Sequence, residues 1–178
     1  EEKNQVFHIP IHLYEKDMDT IFSRDKKKEI IELFTNHNHI RSQDEFDEIK
    51  FLLHEPCEKG DLKLIEIYLN ESITDETNDL KFKINKSKKT ASLFKINNKY
   101  IEHLIVPRTV KHESEEYLIT SICRIGCSEL NIKTIKFVED SLVSTIYSNS
   151  FSNENIEEIY FPKSLKELKE GWCCSTTN

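Results

Sequence analysis

Seven histidines and five cysteines are the residues best suited to chemistry in this chain. His37-Asn-His39 and His8-x-x-x-His12 each offer two imidazoles to zinc, but neither has a cysteine pair or carboxylate nearby at a recognised ligand spacing. Cys123-x-x-x-Cys127, with Gly126 before the second thiol, has a metal-like spacing only in isolation. Both thiols follow the apolar Ile119/Ile122 pair, where small buried cysteines are ordinary. Cys173-Cys174 is an adjacent pair that can oxidise or cross-link. A thiol hydrolase needs a base held beside its nucleophile, and no spacing here supplies one. Three isolated glycines cannot form a phosphate-cradling loop, and no G-x-S-x-G elbow occurs. The expectation is a protein that is not an enzyme and carries no cofactor and no metal.

Composition narrows the classes further. The net charge of −7 disfavours a nucleic-acid partner. The basic runs Lys26-Lys27-Lys28 and Lys86-Ser-Lys88-Lys89 are short and have acidic neighbours, as a solvated face or turn would. No apolar run reaches the roughly 18–20 residues needed to span a bilayer. No signal-peptide pattern is visible, and the cysteines form no regular framework, so reduced, intracellular thiols are the plainer reading. The sequons Asn70-Glu-Ser72 and Asn85-Lys-Ser87 have meaning only in an exported chain.

The elements that position these residues follow from a repeat. Ile101-Glu-His-Leu104-Ile-Val106-Pro107, Ile132-Lys-Thr-Ile135-Lys-Phe137-Val138 and Ile156-Glu-Glu-Ile159-Tyr-Phe161-Pro162 superimpose. Each is followed by an apolar pair at i and i+3: Ile119/Ile122, Val143/Ile146 and Leu165/Leu168. The last two copies lie 24 residues apart in the first motif and 22 in the second. A period in the twenties suits a stacked solenoid of the leucine-rich type, in which each unit buries its apolar face on its neighbours.

Residues 1–71 lack this repeat and predict a helical region. Ile30, Ile31, Leu33 and Phe34 share a broad helical face, and Ser42-Gln-Asp-Glu45 matches a capping box leading into Phe46, Ile49, Phe51, Leu52 and Leu53. Pro56 should break or kink that helix. Asp61 is placed to cap a third helix over 62–69, with Leu62, Ile65 and Leu69 inward and Lys63 and Glu66 outward. Residues 72–79 are polar and read as a linker. Leu80-Lys-Phe82-Lys-Ile84 and Ala91-Ser-Leu93-Phe94-Lys-Ile96 read as a β-hairpin across the turn Asn85–Thr90, pairing with or covering the first solenoid strand.

Two resemblances accompany these patterns. Leu52-Leu53-His-Glu-Pro56-Cys57-Glu-Lys-Gly60-Asp61 through Leu69 resembles the core of one ankyrin repeat, with Pro56 where that family has alanine. Leu104-Ile-Val-Pro107-Arg-Thr-Val110, Tyr117-Leu-Ile-Thr-Ser-Ile122, Ile159-Tyr-Phe-Pro162-Lys-Ser-Leu165 and Leu168-Lys-Glu-Gly-Trp172-Cys173 resemble the BspA-like leucine-rich repeat family. Ser150-Phe151 and Gly171-Trp172 stand at that family's small-then-aromatic position. The first copy departs from it by the inserted loop Lys111–Tyr117. The resemblance implies a curved solenoid that recognises proteins, often as a surface adhesin, and no shared enzymatic activity.

The expected architecture is therefore α+β: a short helical N-terminal region, a linker over 72–79, and a β-hairpin-capped leucine-rich-repeat-type solenoid of about three turns over 80–178. Alternation sends Leu104, Val106, Ile135, Phe137, Ile159 and Phe161 inward. It leaves two outward columns, His103/Thr134/Glu158 and Ile105/Lys136/Tyr160, which either hold a protein partner or decorate a solvated sheet. The C-terminal end, with no capping repeat, is expected to be covered by the Trp172-Cys-Cys tail or by another chain, through self-association or a partner. The leading expectation is a protein–protein interaction scaffold in the cytoplasm. The alternatives are a cell-surface adhesin and, more weakly, a structural subunit of a larger assembly.

Overall fold

A computed structural model describes residues 24–37, 43–75, 77, 79–125, 130–152 and 155–173. The readings that concern residues 1–23, His39, Gly126, Cys127 and Cys174, and the side chains of His37, Glu45 and Phe46, lie outside these residues. The chain divides into two compact units, Glu1–Glu71 and Ser72–Asn178.

The first unit contains helices α1 (Arg24–His37), α2 (Gln43–Leu52), α3 (His54–Lys59) and α4 (Leu62–Leu69). Ile30 and Phe34 of α1, Ile49 of α2 and Leu64, Ile65, Tyr68 and Leu69 of α4 are buried. The faces are narrower than the apolar pattern predicts, since Ile31 and Phe51 are exposed and Leu62 is only half-buried. As Pro56 leads one to expect, the helix is broken: α2 ends at Leu52, and Pro56 falls in the first turn of α3, where a missing N–H costs no helical bond. Gly60 ends α3 in the left-handed conformation, at φ 64° and ψ 33°, which a side chain would oppose. The Asp61 carboxylate then accepts from the Leu64 N–H at 3.1 Å, capping α4.

In the second unit, β1 (Glu71–Asp75), β2 (Leu80–Asn85), β3 (Thr90–Ile96), β6 (Glu115–Ile122), β8 (Thr145–Ile146) and β10 (Glu167–Leu168) lie in that order across a mixed seven-stranded sheet. The seventh strand, β5 (Thr109–His112), pairs antiparallel with β6. A second, parallel sheet has the order β4 (His103–Val106), β7 (Thr134–Phe137), β9 (Glu158–Ile159). The core between them contains Phe82, Leu93, Leu104, Ile119, Ile135, Val143, Ile146 and Phe151.

This architecture corrects the expected fold. The chain is mixed α/β, and a hairpin-capped leucine-rich-repeat solenoid of about three turns does not describe it. The β2–β3 hairpin is not a cap: β3 pairs in parallel with β6, so both hairpin strands belong to the main sheet. Residues 111–117, expected to be an inserted loop, instead fold as most of an antiparallel hairpin with β6. The polar stretch 72–79, expected to be a linker, supplies most of β1. Polarity there marks a sheet edge, where one side of a strand is solvated.

Candidate functional site

The second sheet carries the six residues that the sequence singles out. Its strands pair in register, His103 with Thr134 and Ile105 with Lys136. Thr134 in turn pairs with Glu158. Tyr160 continues the second row just beyond β9, its N–H donating to the Ile135 carbonyl at 2.9 Å. The outward columns are therefore rows of one face. The cause is local: along β4 the burial alternates exposed, buried, exposed, buried, so His103 and Ile105 share the outer side.

Neighbouring rungs bind one another. His103 Nδ1 lies 2.8 Å from the Thr134 hydroxyl. The Tyr160 hydroxyl donates to Glu158 at 2.7 Å, and this bond raises the phenol above its ordinary pKa. The Lys136 amine sits 4.8 Å from the centre of the Tyr160 ring, a cation–π contact. Beside them Ile105 is 60% exposed and Tyr160 51%, an apolar–aromatic surface that is not spent on the core.

A third row went unnoticed in the sequence. Glu102, Lys133 and Glu157 precede the two outward columns, and the Lys133 amine binds the Glu102 carboxylate at 2.7 Å. That hydrogen bond, with the attraction of opposite charge, holds the Glu102 carboxyl below and the Lys133 amine above their ordinary ranges. The signal was present as acid, base, acid at the residue after the first isoleucine of each copy. Arg108 closes the other end by binding the Asp140 carboxylate at 2.9 Å and its carbonyl at 2.7 Å.

Burial on the inner side fades toward the last copy. Leu104 and Ile135 are buried, whereas Ile159 is only partly so. Phe161, expected inward, is 43% exposed, and Leu168 is 42% exposed. Trp172 covers part of this end, meeting Phe151 and Phe161 edge-on at 6.1 Å and 5.5 Å. The two small-then-aromatic corners stack directly, the Phe151 N–H donating to the Trp172 carbonyl at 3.0 Å.

Among the described residues no group of three or more His, Cys, Asp or Glu side chains is placed to hold a metal ion. An open groove of about 310 Å³ in the first unit is lined by Glu29, Glu32 and Glu66, with Lys63 beside them. Cys57 and Cys123 are buried. No helix among the described residues is long and apolar enough to cross a membrane. Comparison with protein-family models, curated proteins and solved structures gave no match, so the BspA-like resemblance stands on its quoted residues alone.

Proposed function

We infer that this chain is a non-enzymatic protein-binding module that holds its partner on the outer face of the β4–β7–β9 sheet. The observation that carries this is the row Ile105, Lys136, Tyr160. Ile105 and Tyr160 stand more than half exposed there, the Lys136 amine lies over the Tyr160 ring, and charged rows border them. Interfaces concentrate their energy in such aromatic and aliphatic anchors inside a polar rim. The rungs are already hydrogen-bonded, so ordering this face on binding costs little side-chain entropy. The same reading includes contact of the chain with a second copy of itself at the free edge of β10.

The test is capture by the immobilised chain, compared between the natural sequence and Tyr160→Ala with Lys136→Glu. A partner on this face is lost from the double variant while the thermal midpoint moves by no more than a few degrees. Equal recovery of the same proteins by both forms removes the sheet face as the interface. Labelling intact cells with an impermeant biotin reagent separates a cytoplasmic scaffold from a surface ligand-binder.

A further inference from the structure

Among the described residues β10 is the last strand of the seven-stranded sheet, and no other strand lies on its outer edge. The Glu167 and Lys169 amides donate to the Ser144 and Ile146 carbonyls, toward β8. Successive peptide groups of a strand point to opposite sides, so the Leu168 N–H and C=O point to the outer edge. Leu168 is also one of the exposed large apolar side chains, at 42%. An edge strand of this kind is a template for another strand, and proteins ordinarily blunt it with charge of one sign.

Here the charges do the opposite. Lys166-Glu167-Leu168-Lys169-Glu170 changes sign about its centre. Laid antiparallel against a copy of itself with Leu168 facing Leu168, it sets Lys166 opposite Glu170 and Glu167 opposite Lys169, and the same again by symmetry. A slip of one residue in either direction sets Lys166 against Lys169 or Glu167 against Glu170. A parallel arrangement sets every charge against its like. One register attracts and its neighbours repel, which is how a two-fold contact is specified.

We propose that a second copy of this chain docks on the free edge of β10, antiparallel, with Leu168 at the two-fold axis. The two Leu168 residues exchange a pair of N–H···O bonds, and their side chains lie on one face of the joined sheet. The Lys169–Glu167 ion pair, 2.7 Å within one chain, becomes half of a four-charge cluster. The proposal deepens the self-contact named above and does not depend on what binds the β4–β7–β9 face. An edge contact this short gives a weak dimer, with a dissociation constant on the order of 10–100 μM.

Sedimentation over a concentration series tests it with Glu167→Lys and Lys169→Glu as separate single variants of the full chain. Each variant turns two attractions into two repulsions, so each alone should dissociate at least about tenfold more readily than the natural chain. Mixed in equal amounts, the two variants should form a heterodimer as stable as the natural dimer, because each side again meets its opposite. The heterodimer also shows that both variants are folded. The proposal is overturned if the natural chain stays monomeric to about 1 mM. Single variants that dimerise like the natural chain, open-ended polymers, or a mixture that remains monomeric overturn it equally. Loss of partner capture by the Tyr160 and Lys136 substitutions leaves every one of these results unchanged.

Discussion

The same truncation at two positions of one row should differ severalfold in cost. Ile135 and Ile159 face each other in register across β7 and β9, but Ile135 is fully buried and Ile159 only partly. Replacing isoleucine by alanine removes three carbons. At about 0.8 kcal/mol for each buried methylene, this is about 2.4 kcal/mol of lost transfer energy at Ile135. The cavity left in a closed core brings the cost to about 3–4 kcal/mol. At Ile159 part of that surface is already wet and the gap opens to solvent, leaving about 1–1.5 kcal/mol. Urea unfolding followed by Trp172 emission reads this unit selectively, since Trp172 is the only tryptophan of the chain. With a slope of about 1–1.5 kcal/mol per molar urea, Ile135→Ala should lower the midpoint by about 2–4 M and Ile159→Ala by about 0.7–1.5 M. The protein must be dilute, so that no second copy covers the end. Equal losses at the two positions would refute the burial gradient and with it the description of β9 and β10 as an open edge.

Three further outcomes follow from single contacts. Gly60→Ala should cost about 1–2 kcal/mol in thermal unfolding of the helical signal, because φ 64° is left-handed, and Gly60→Asn should cost less. Lys133→Ala should raise the Glu102 titration, followed by NMR, to the ordinary carboxylate range. In the natural chain the ion pair contributes above the unfolded carboxyl's pKa and is lost as pH falls through the lowered folded value. Glu158→Gln should bring the Tyr160 phenol down toward its ordinary value in an absorbance titration. The Tyr160–Glu158 bond contributes below the unfolded phenol's pKa and is lost as pH rises through the raised folded one.

What the sequence disclosed follows from how far each signal reaches. The spacing between copies carries pairing register: Thr134 and Glu158, 24 residues apart, are paired across the parallel sheet. Local caps were equally plain, since Gly60 and Asp61 act within a few residues of themselves. Alternation, by contrast, says which side of a strand is buried only when one side is wet. In the β2–β3 hairpin Phe82, Lys83 and Ile84 are all buried, and so are Leu93 and Phe94, with a register shift at Lys81/Phe82. Lys83, outward by alternation, is 1% exposed, and its amine lies 5.3 Å from the centre of the Phe94 ring. Nor does any local pattern reveal that β3 takes β6 as its parallel neighbour, because that choice is made across the whole core. The outer face of the β4–β7–β9 sheet was legible as two columns of residues. The third row was missed because charged residues at equivalent positions look like ordinary solvated surface until their pairing distances are known.

β6 is bonded to a strand that precedes it, β3, to its own hairpin partner, β5, and to a later strand, β8. A chain emerging from its N-terminal side first completes the β2–β3 hairpin, whose parallel edge must then wait for distant residues. The β5–β6 hairpin needs only the tight turn at Glu113 and Ser114 and forms locally. Docking one hairpin on the other closes a long loop that carries β4, the first strand of the second sheet, within it. The β3–β6 pairing joins Thr90 to Leu118, and the later pairings of β4 with β7, β6 with β8, β7 with β9 and β8 with β10 close loops of similar length, so the cost of loop closure is shared among them.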